Sequence, residues 1–179
     1  VEFLRAYNLP ALKIASASIT DHALLRACRD LDVPLVMSTG MSTFDEVLGA
    51  VNAIGRDNLV LMACRSTYPC PPEDLNLLAI HTLQMRFGTP VGWSGHEVGL
   101  WTTLCAVAMG ACVIERHFTL SRAAWGTDQA ASVEPHGFKK LVDQIRRFES
   151  ARGDGVIAPL HSELPIRAKL RRVVTEGEA

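Results

Sequence analysis

Five short apolar segments recur along the chain, and a stretch with helical spacing of apolar residues follows each of them. The segments are centred on Lys13, Leu35, Val60, Val91 and Val113, at intervals of between 22 and 31 residues. This rhythm is typical of strand–helix units whose strands are buried on both faces. Because no antiparallel hairpin signal interrupts it, the pattern predicts an α/β fold with a parallel sheet and right-handed crossovers.

Local signals mark where the predicted helices begin. Asp21 can accept a hydrogen bond from the first turn of one helix, and Thr43 with Glu46 forms a capping-box pattern before the next. Asn76 is predicted to cap a third helix, and Pro135 suits the first turn of the last long one. Helices therefore fill most of the space between the predicted strands.

Polar residues gather directly after the predicted strands, in the segments 16–18, 38–40, 65–68 and 94–96 and at His117. A doubly wound sheet and a barrel both fit the strand–helix rhythm, but the sequence lacks the glycine motifs of dinucleotide-binding and P-loop folds. Barrel enzymes collect polar residues from many strands at one rim, so we predict a (β/α)8 TIM barrel. Such a barrel has eight strands in about 250 residues, and only about five units are present here, so we expect three more units upstream.

Composition narrows the class of protein. The 179 residues carry a net charge of -1 and are 48% hydrophobic, which indicates one globular domain without the charge of a nucleic-acid or membrane-surface protein. No apolar run approaches the roughly 20 residues of a transmembrane helix. The five cysteines include no Cys-x-x-Cys pair, which argues against a disulfide framework or a zinc knuckle and favours a reducing, cytoplasmic location.

Two histidines are candidate metal ligands. In the extended segment 113–118, Glu115 and His117 lie on one face, and His96 ends the preceding strand. Parallel neighbours lie about 5 Å apart, so both imidazoles could approach one ion, and two imidazoles with open positions suit a transition metal such as manganese. The alternatives stay open: Glu115 and His117 could form a hydrogen-bonded pair in the core, or His117 could act as a general base.

Other polar residues at the predicted rim are candidates for substrate binding. Lys13 interrupts an apolar strand, so either its stem packs on the core or its ammonium group binds an anionic substrate. Tyr68 begins a proline-rich loop that is either a rigid connection or holds an aromatic side chain at the rim. Asp128 in the long loop 119–133 either binds substrate hydroxyls or is solvated. The cysteines are interpreted as small core residues without a histidine partner. Four serines at strand ends are ordinary turn residues singly but could together bind a phosphate or carboxylate: Ser16, Ser38, Ser66 and Ser94.

The order of these motifs resembles the sialic acid synthase family, which comprises N-acetylneuraminate synthase and its legionaminate, pseudaminate and spore-coat relatives. The resemblance implies that residues 1–158 form the C-terminal part of a (β/α)8 barrel, with the visible strands as its fourth to eighth. It also implies that residues 159–179 are a linker towards an antifreeze-like domain that is absent here. The matching motifs are Lys13-Ile14-Ala15-Ser16, Ser38-Thr39-Gly40-Met41-Ser42, Cys64-Arg65-Ser66-Thr67-Tyr68-Pro69, Trp93-Ser94-Gly95-His96 and Ile114-Glu115-Arg116-His117-Phe118-Thr119-Leu120.

The resemblance further implies a metal-dependent condensation of phosphoenolpyruvate with an N-acetylated aminosugar, such as N-acetylmannosamine, to a nine-carbon sialic-acid-type sugar with release of phosphate. His96 and His117 would bind the divalent metal, Mn2+ with Mg2+ or Co2+ as alternatives, and Lys13, Glu115 and His117 would be catalytic. The full-length form would be a cytoplasmic homodimer without nucleic-acid or membrane partners, and the isolated segment is expected to be inactive. The substrate-binding residues would be Ser16, Ser38, Ser66, Tyr68, Ser94 and Asp128.

The sequence departs from the common family pattern where Ser18, Ser66, Gly95 and Gln129 stand, and these departures concern the acceptor sugar more than the reaction. Two alternatives remain open. The protein could be a related barrel aldolase or sugar-phosphate synthase, or it could be a truncated, non-catalytic chain that only binds a ligand or partner.

Overall fold

Five parallel strands form one sheet in the order in which they occur in the sequence. The computed structural model describes residues 1–172, and every neighbouring pair of strands in the sheet is parallel. The sheet curls as a half-barrel, which confirms the predicted α/β fold, whereas a complete eight-stranded barrel is not shown in this chain. The strands are β1 (Leu12–Ile14), β2 (Leu35–Ser38), β3 (Leu59–Cys64), β4 (Val91–Gly95) and β5 (Ile114–Arg116).

Helices follow the strands as the sequence predicts. Asp21 accepts a hydrogen bond from the backbone N–H of Leu24 at 3.0 Å, and Thr43 forms the predicted capping box with Glu46. The α-helices are α1 (His22–Arg29), α2 (Phe44–Ile54), α3 (Ala79–Phe87), α4 (Trp101–Ala108), α5 (Pro135–Ala151) and α6 (Leu164–Leu170).

The predicted cap of the third helix is wrong. Asn76 has a positive φ of 52° and lies in a turn before α3, which begins at Ala79 without a side-chain cap. An N-cap residue needs an extended backbone to turn its side chain onto the first helical N–H groups. Asparagine also tolerates the left-handed conformation, and the turn uses that property here.

The two faces of the sheet have different roles. Met37, Leu61 and Trp93 point to the helix side and belong to a buried apolar core that also contains Leu25 and Phe87. Their neighbours in sequence alternate to the opposite face because side chains along a strand point to alternate sides. Burial of the helix-side face fixes this alternation, so it decides which polar residues reach the inner face of the half-barrel.

Contacts divide the chain into two compact units, Val1–Arg146 and Arg147–Ala179. The first unit contains the sheet, and the second contains α6, whose residues are all exposed. The proposed division into a barrel part (1–158) and a linker (159–179) stays a prediction, and residues 173–179 of that linker lie outside the described residues. Among residues 1–172, no helix combines the length and hydropathy needed to cross a bilayer.

The ends of the sheet generate a prediction about association. Within residues 1–172, β1 and β5 each pair with one neighbouring strand, so each has an outer edge without a strand partner. We therefore expect residues 1–179 alone to self-associate or to need another chain for solubility, which sedimentation velocity can measure. A monodisperse monomer that unfolds cooperatively would contradict this expectation.

Candidate active site

The carboxyl ends of the strands surround one cleft with a volume of about 300 Å³. The register of the sheet places Cys64 of β3 beside Ser94 of β4, and Ser94 beside Glu115 of β5. Every predicted site residue except Asp128 lines this cleft. Its lining comprises Lys13, Ala15, Ser16, Ala17, Ser38, Met41, Cys64, Ser66, Tyr68, Ser94, His96, Glu115 and His117.

The His96 and His117 rings come together as the sequence predicts. Their ring centroids are 5.1 Å apart, and the Tyr68 ring lies 4.1 Å from His96 and 5.4 Å from His117. His96 Nδ1 lies 2.5 Å from the carbonyl oxygen of Arg65. Because a carbonyl oxygen only accepts hydrogen bonds, Nδ1 must carry the proton, and the lone pair of the neutral ring is then on Nε2.

His117 is held near an acidic side chain from the loop after β5. Its Nδ1 lies 3.8 Å from Asp128 Oδ2. Burial, and next the neighbouring His96, lower the pKa of His117 below its ordinary value, although Asp128 opposes the shift. The lowered pKa favours the neutral imidazole, which is the form that binds a metal ion.

Lys13 and Glu115 face each other across the cleft. Lys13 Nζ lies 3.5 Å from Glu115 Oε2 and donates to the carbonyl of Ile14 at 3.3 Å. Ser94 Oγ donates to the other carboxylate oxygen of Glu115 at 2.9 Å. Both charged groups are only partly buried, so Lys13 presents its ammonium group to the cleft, and Glu115 pairs with Lys13 rather than with His117.

Gly40 allows the hydroxyl groups of the cleft to converge. Its backbone N–H donates to Ser16 Oγ at 2.9 Å. A Cβ atom at this position would lie 2.3 Å from Ser66 Oγ and 2.9 Å from Ser16 Oγ. The hydroxyl of Ser38 is buried and has no hydrogen-bond partner among the described residues, so it retains its capacity to bind a ligand.

Tyr68 supplies an aromatic wall with a polar tip. Burial, and next the surrounding Cys64, Asp128 and Glu115, raise the pKa of the Tyr68 phenol, while a hydrogen bond with Ser66 opposes the shift. The phenol therefore stays protonated at neutral pH and can donate a hydrogen bond.

The interpretation of the cysteines as small core residues is wrong for Cys112, which is exposed, and for Cys64, which lines the cleft. Cys64 Sγ lies 3.9 Å from His96 Nδ1 and 3.8 Å from Ser16 Oγ. A signal was present in the sequence, because Cys64 directly follows the apolar run 59–63 and directly precedes the polar segment 65–68. Cysteine is small and hydrophobic and usually lies in protein cores, and this general tendency led to the wrong interpretation of Cys64.

The cleft can bind an anion and can contribute two imidazoles to a metal ion. Among residues 1–172, no three His, Cys, Asp or Glu side chains form a complete metal site. Two imidazoles alone would leave coordination positions for water and for substrate oxygens. The charge of Lys13 and the serine hydroxyls suit a phosphate or carboxylate group.

This fold and cleft define a parallel α/β protein with a polar site at the carboxyl ends of its strands, where proteins of this architecture bind their substrates. The sequence profile of the NeuB family matches residues 1–157. The chain belongs to the NeuB family.

Named relatives and solved structures extend the comparison. The chain is 41% identical to N,N'-diacetyllegionaminic acid synthase of Legionella pneumophila and 36% identical to human N-acetylneuraminate-9-phosphate synthase. These matches cover 98% and 97% of the chain but 51% and 49% of the relatives, so the chain spans about half their length. The crystal structure of N-acetylneuraminic acid (sialic acid) synthetase from Leptospira borgpetersenii superposes with a TM-score of 0.84 at 35% identity, over 96% of this chain and 62% of that chain.

The crowding at Gly40 predicts a destabilising substitution. Gly40→Ala should lower the free energy of unfolding by about 1–3 kcal/mol, because the added methyl group displaces Ser66 and Ser16. Gly49→Ala is the matched control. Gly49 lies inside α2, and its Cβ would be 3.5 Å from His22 of α1, so this substitution should stabilise the protein by roughly 0.5–1 kcal/mol. Urea unfolding measures both, and equal effects at the two positions would contradict the prediction.

Proposed function

We propose that this chain forms part of the active site of a synthase that condenses phosphoenolpyruvate with an N-acetylated aminosugar, such as N-acetylmannosamine. The product is a nine-carbon sialic-acid-type sugar, and phosphate is released. The observation that carries the proposal is the convergence of Lys13, the serine hydroxyls and two imidazoles on one cleft. Membership of the NeuB family and relatives named as synthases of such sugars support it.

The anionic substrate would lie against Lys13 and the serines. The Lys13 ammonium group can neutralise a phosphate or carboxylate, and Ser16, Ser38 and Ser66 can supply neutral hydrogen bonds. Glu115 holds the ammonium group over the cleft from 3.5 Å, and the hydrogen bond from Ser94 orients the carboxylate. In the proposed reaction, the ammonium group of Lys13 would stabilise the negative charge that develops as phosphate leaves.

His96 and His117 would hold a divalent metal ion, Mn2+ with Mg2+ or Co2+ as alternatives. The contact of His96 Nδ1 with the Arg65 carbonyl supports this, because a hydrogen bond on one ring nitrogen commonly orients the other towards a metal. When bound, such an ion acts as a Lewis acid towards a carbonyl oxygen. Tyr68 packs against both rings and limits their movement, and Asp128 lies beside His117, where it could accept hydrogen bonds from sugar hydroxyls.

The reaction joins C3 of phosphoenolpyruvate to the aldehyde carbon of the open-chain sugar. Water adds at C2, and the C2–oxygen bond to phosphate breaks. Holding the two substrates in one cleft lowers the entropic cost of the bimolecular step. The residues of this chain bind and orient the anionic groups throughout.

We further propose that the protein is cytoplasmic and that its full-length form is a homodimer. The five cysteines are free thiols, which supports a reducing compartment. A phosphorylated acceptor is the second candidate, because the human relative is named as a synthase of a 9-phosphate product.

The reaction is tested by phosphate release from phosphoenolpyruvate in the full-length protein with Mn2+ and N-acetylmannosamine. Lys13→Met should lower kcat/KM for phosphoenolpyruvate about 100-fold, because a charged donor to the leaving phosphate is lost. Lys139→Met, at an exposed pair on α5, is the control and should leave kcat/KM unchanged. Turnover with a phosphorylated sugar alone would favour the second candidate, and no turnover with any N-acetylated hexose would refute the assignment.

Metal binding by the histidine pair has a separate test. His96→Ala and His117→Ala should each weaken Mn2+ binding at least about 100-fold, since even loss of a ligand's hydrogen-bond partner costs 10–100-fold. His81→Ala on the exposed side of α3 is the matched control. Titration calorimetry with Mn2+ measures the affinities. Unchanged metal binding and activity in both cleft variants would instead favour the non-catalytic alternative.

A further inference from the structure

A buried ion pair lies behind the histidine pair, on the helix side of the sheet. Arg116 Nη1 is 3.2 Å from Glu97 Oε1, and each side chain is 1% exposed. Glu97 directly follows His96, and Arg116 directly precedes His117. Because side chains alternate along an extended segment, Arg116 points away from the cleft while Glu115 and His117 line it.

The guanidinium group of Arg116 joins three segments of the chain. It donates to the carbonyl oxygens of Glu97 and Gly99 in the loop after β4, and to the carbonyl of Ala131 at 3.4 Å. Ala131 ends the short 3-10 helix that directly follows Asp128. One side chain therefore connects the end of β5 to the loop that continues from His96 and to the loop that carries Asp128.

The carboxylate of Glu97 is held through one of its two oxygens, Oε1, whereas Oε2 is buried and has no hydrogen-bond partner among the described residues. Thr102 and Thr103, in the first turn of α4, donate to Glu97 Oε1 at 2.9 and 2.7 Å, and Thr103 Oγ1 also accepts from Arg116 at 2.8 Å. A Cβ at Gly95 would lie 2.5 Å from Glu97 Oε2 and 2.7 Å from Trp93 Nε1, so a larger residue there would have to displace these side chains. Positions 95 and 97 are therefore sterically coupled.

A buried ion pair is weak evidence for stability, because desolvation of the charges offsets their attraction. Burial lowers the pKa of Arg116 from its usual value, and Glu97 opposes that shift. Such a pair instead fixes the relative positions of the segments that it joins. A planar guanidinium group that donates to several acceptors tolerates little displacement of any of them.

We propose that the Glu97–Arg116 pair is a positioning element that fixes the separation of the His96 and His117 rings and the place of the Asp128 loop. It thereby sets the affinity of the cleft for a divalent metal ion. The effect on metal affinity rests on the proposed function, whereas the positioning of the two rings concerns their geometry alone. Neither residue touches the cleft, so both act through the histidines.

The test uses the full-length protein with 13C-labelled histidine and tyrosine. Arg116→Lys keeps the charge but cannot reach all the acceptors, so it should weaken the nuclear Overhauser contacts among the His96, His117 and Tyr68 rings and weaken Mn2+ binding about tenfold. Arg29→Lys makes the same change at the exposed Arg29–Asp30 pair and should alter neither. A lower Tm with unchanged ring contacts and Mn2+ affinity would overturn the proposal.

A second variant covers the case in which Arg116→Lys does not fold. Thr103→Val removes the hydroxyl that bridges Arg116 and Glu97 while both charges remain, and it should change the ring contacts in the same direction but less. If the wild-type protein binds no Mn2+, the metal part of the proposed function fails, and the ring contacts alone decide the inference. Unchanged contacts in the folded variants would then overturn it.

Discussion

In-register pairing of five parallel strands is the constraint on which the site depends. The hydrogen bonds of the sheet align Cys64, Ser94 and Glu115 in one row across β3, β4 and β5. A shift of one residue in any pair would turn these side chains towards the helices. The buried core on the helix side, including Trp93, makes such a shift costly because it would expose apolar surface.

Two ion pairs of different burial lie in and behind the site. Lys13 meets Glu115 in the cleft, and Glu97 meets Arg116 behind it. The two pairs differ in burial, and that difference suits different roles. Solvent reaches the partly buried cleft pair, so a dissolved anion can compete with Glu115 for Lys13, whereas water does not reach the fully buried pair.

Membership of the NeuB family and the geometry of the cleft are two separate observations, one from the sequence and one from the structure, and they agree. The family match covers residues 1–157 as a sequence pattern, and the structure places the polar residues of that pattern around one cavity. The chain spans about half the length of its named relatives, so both observations concern that shared part.

Sequence alone determined the elements whose signals are local. Apolar periodicity gave the five strands, and the Thr43–Glu46 box gave the start of α2, because both depend on neighbouring residues. Alternation along β5 also placed Glu115 and His117 on one face. Three features were decided only by the tertiary structure. Asn76 adopts a left-handed conformation in a turn instead of capping α3. Cys64 contacts His96, and Glu97 pairs with Arg116. These contacts join residues 19 or more positions apart, or depend on a backbone angle, and such distances are fixed by packing rather than by local pattern.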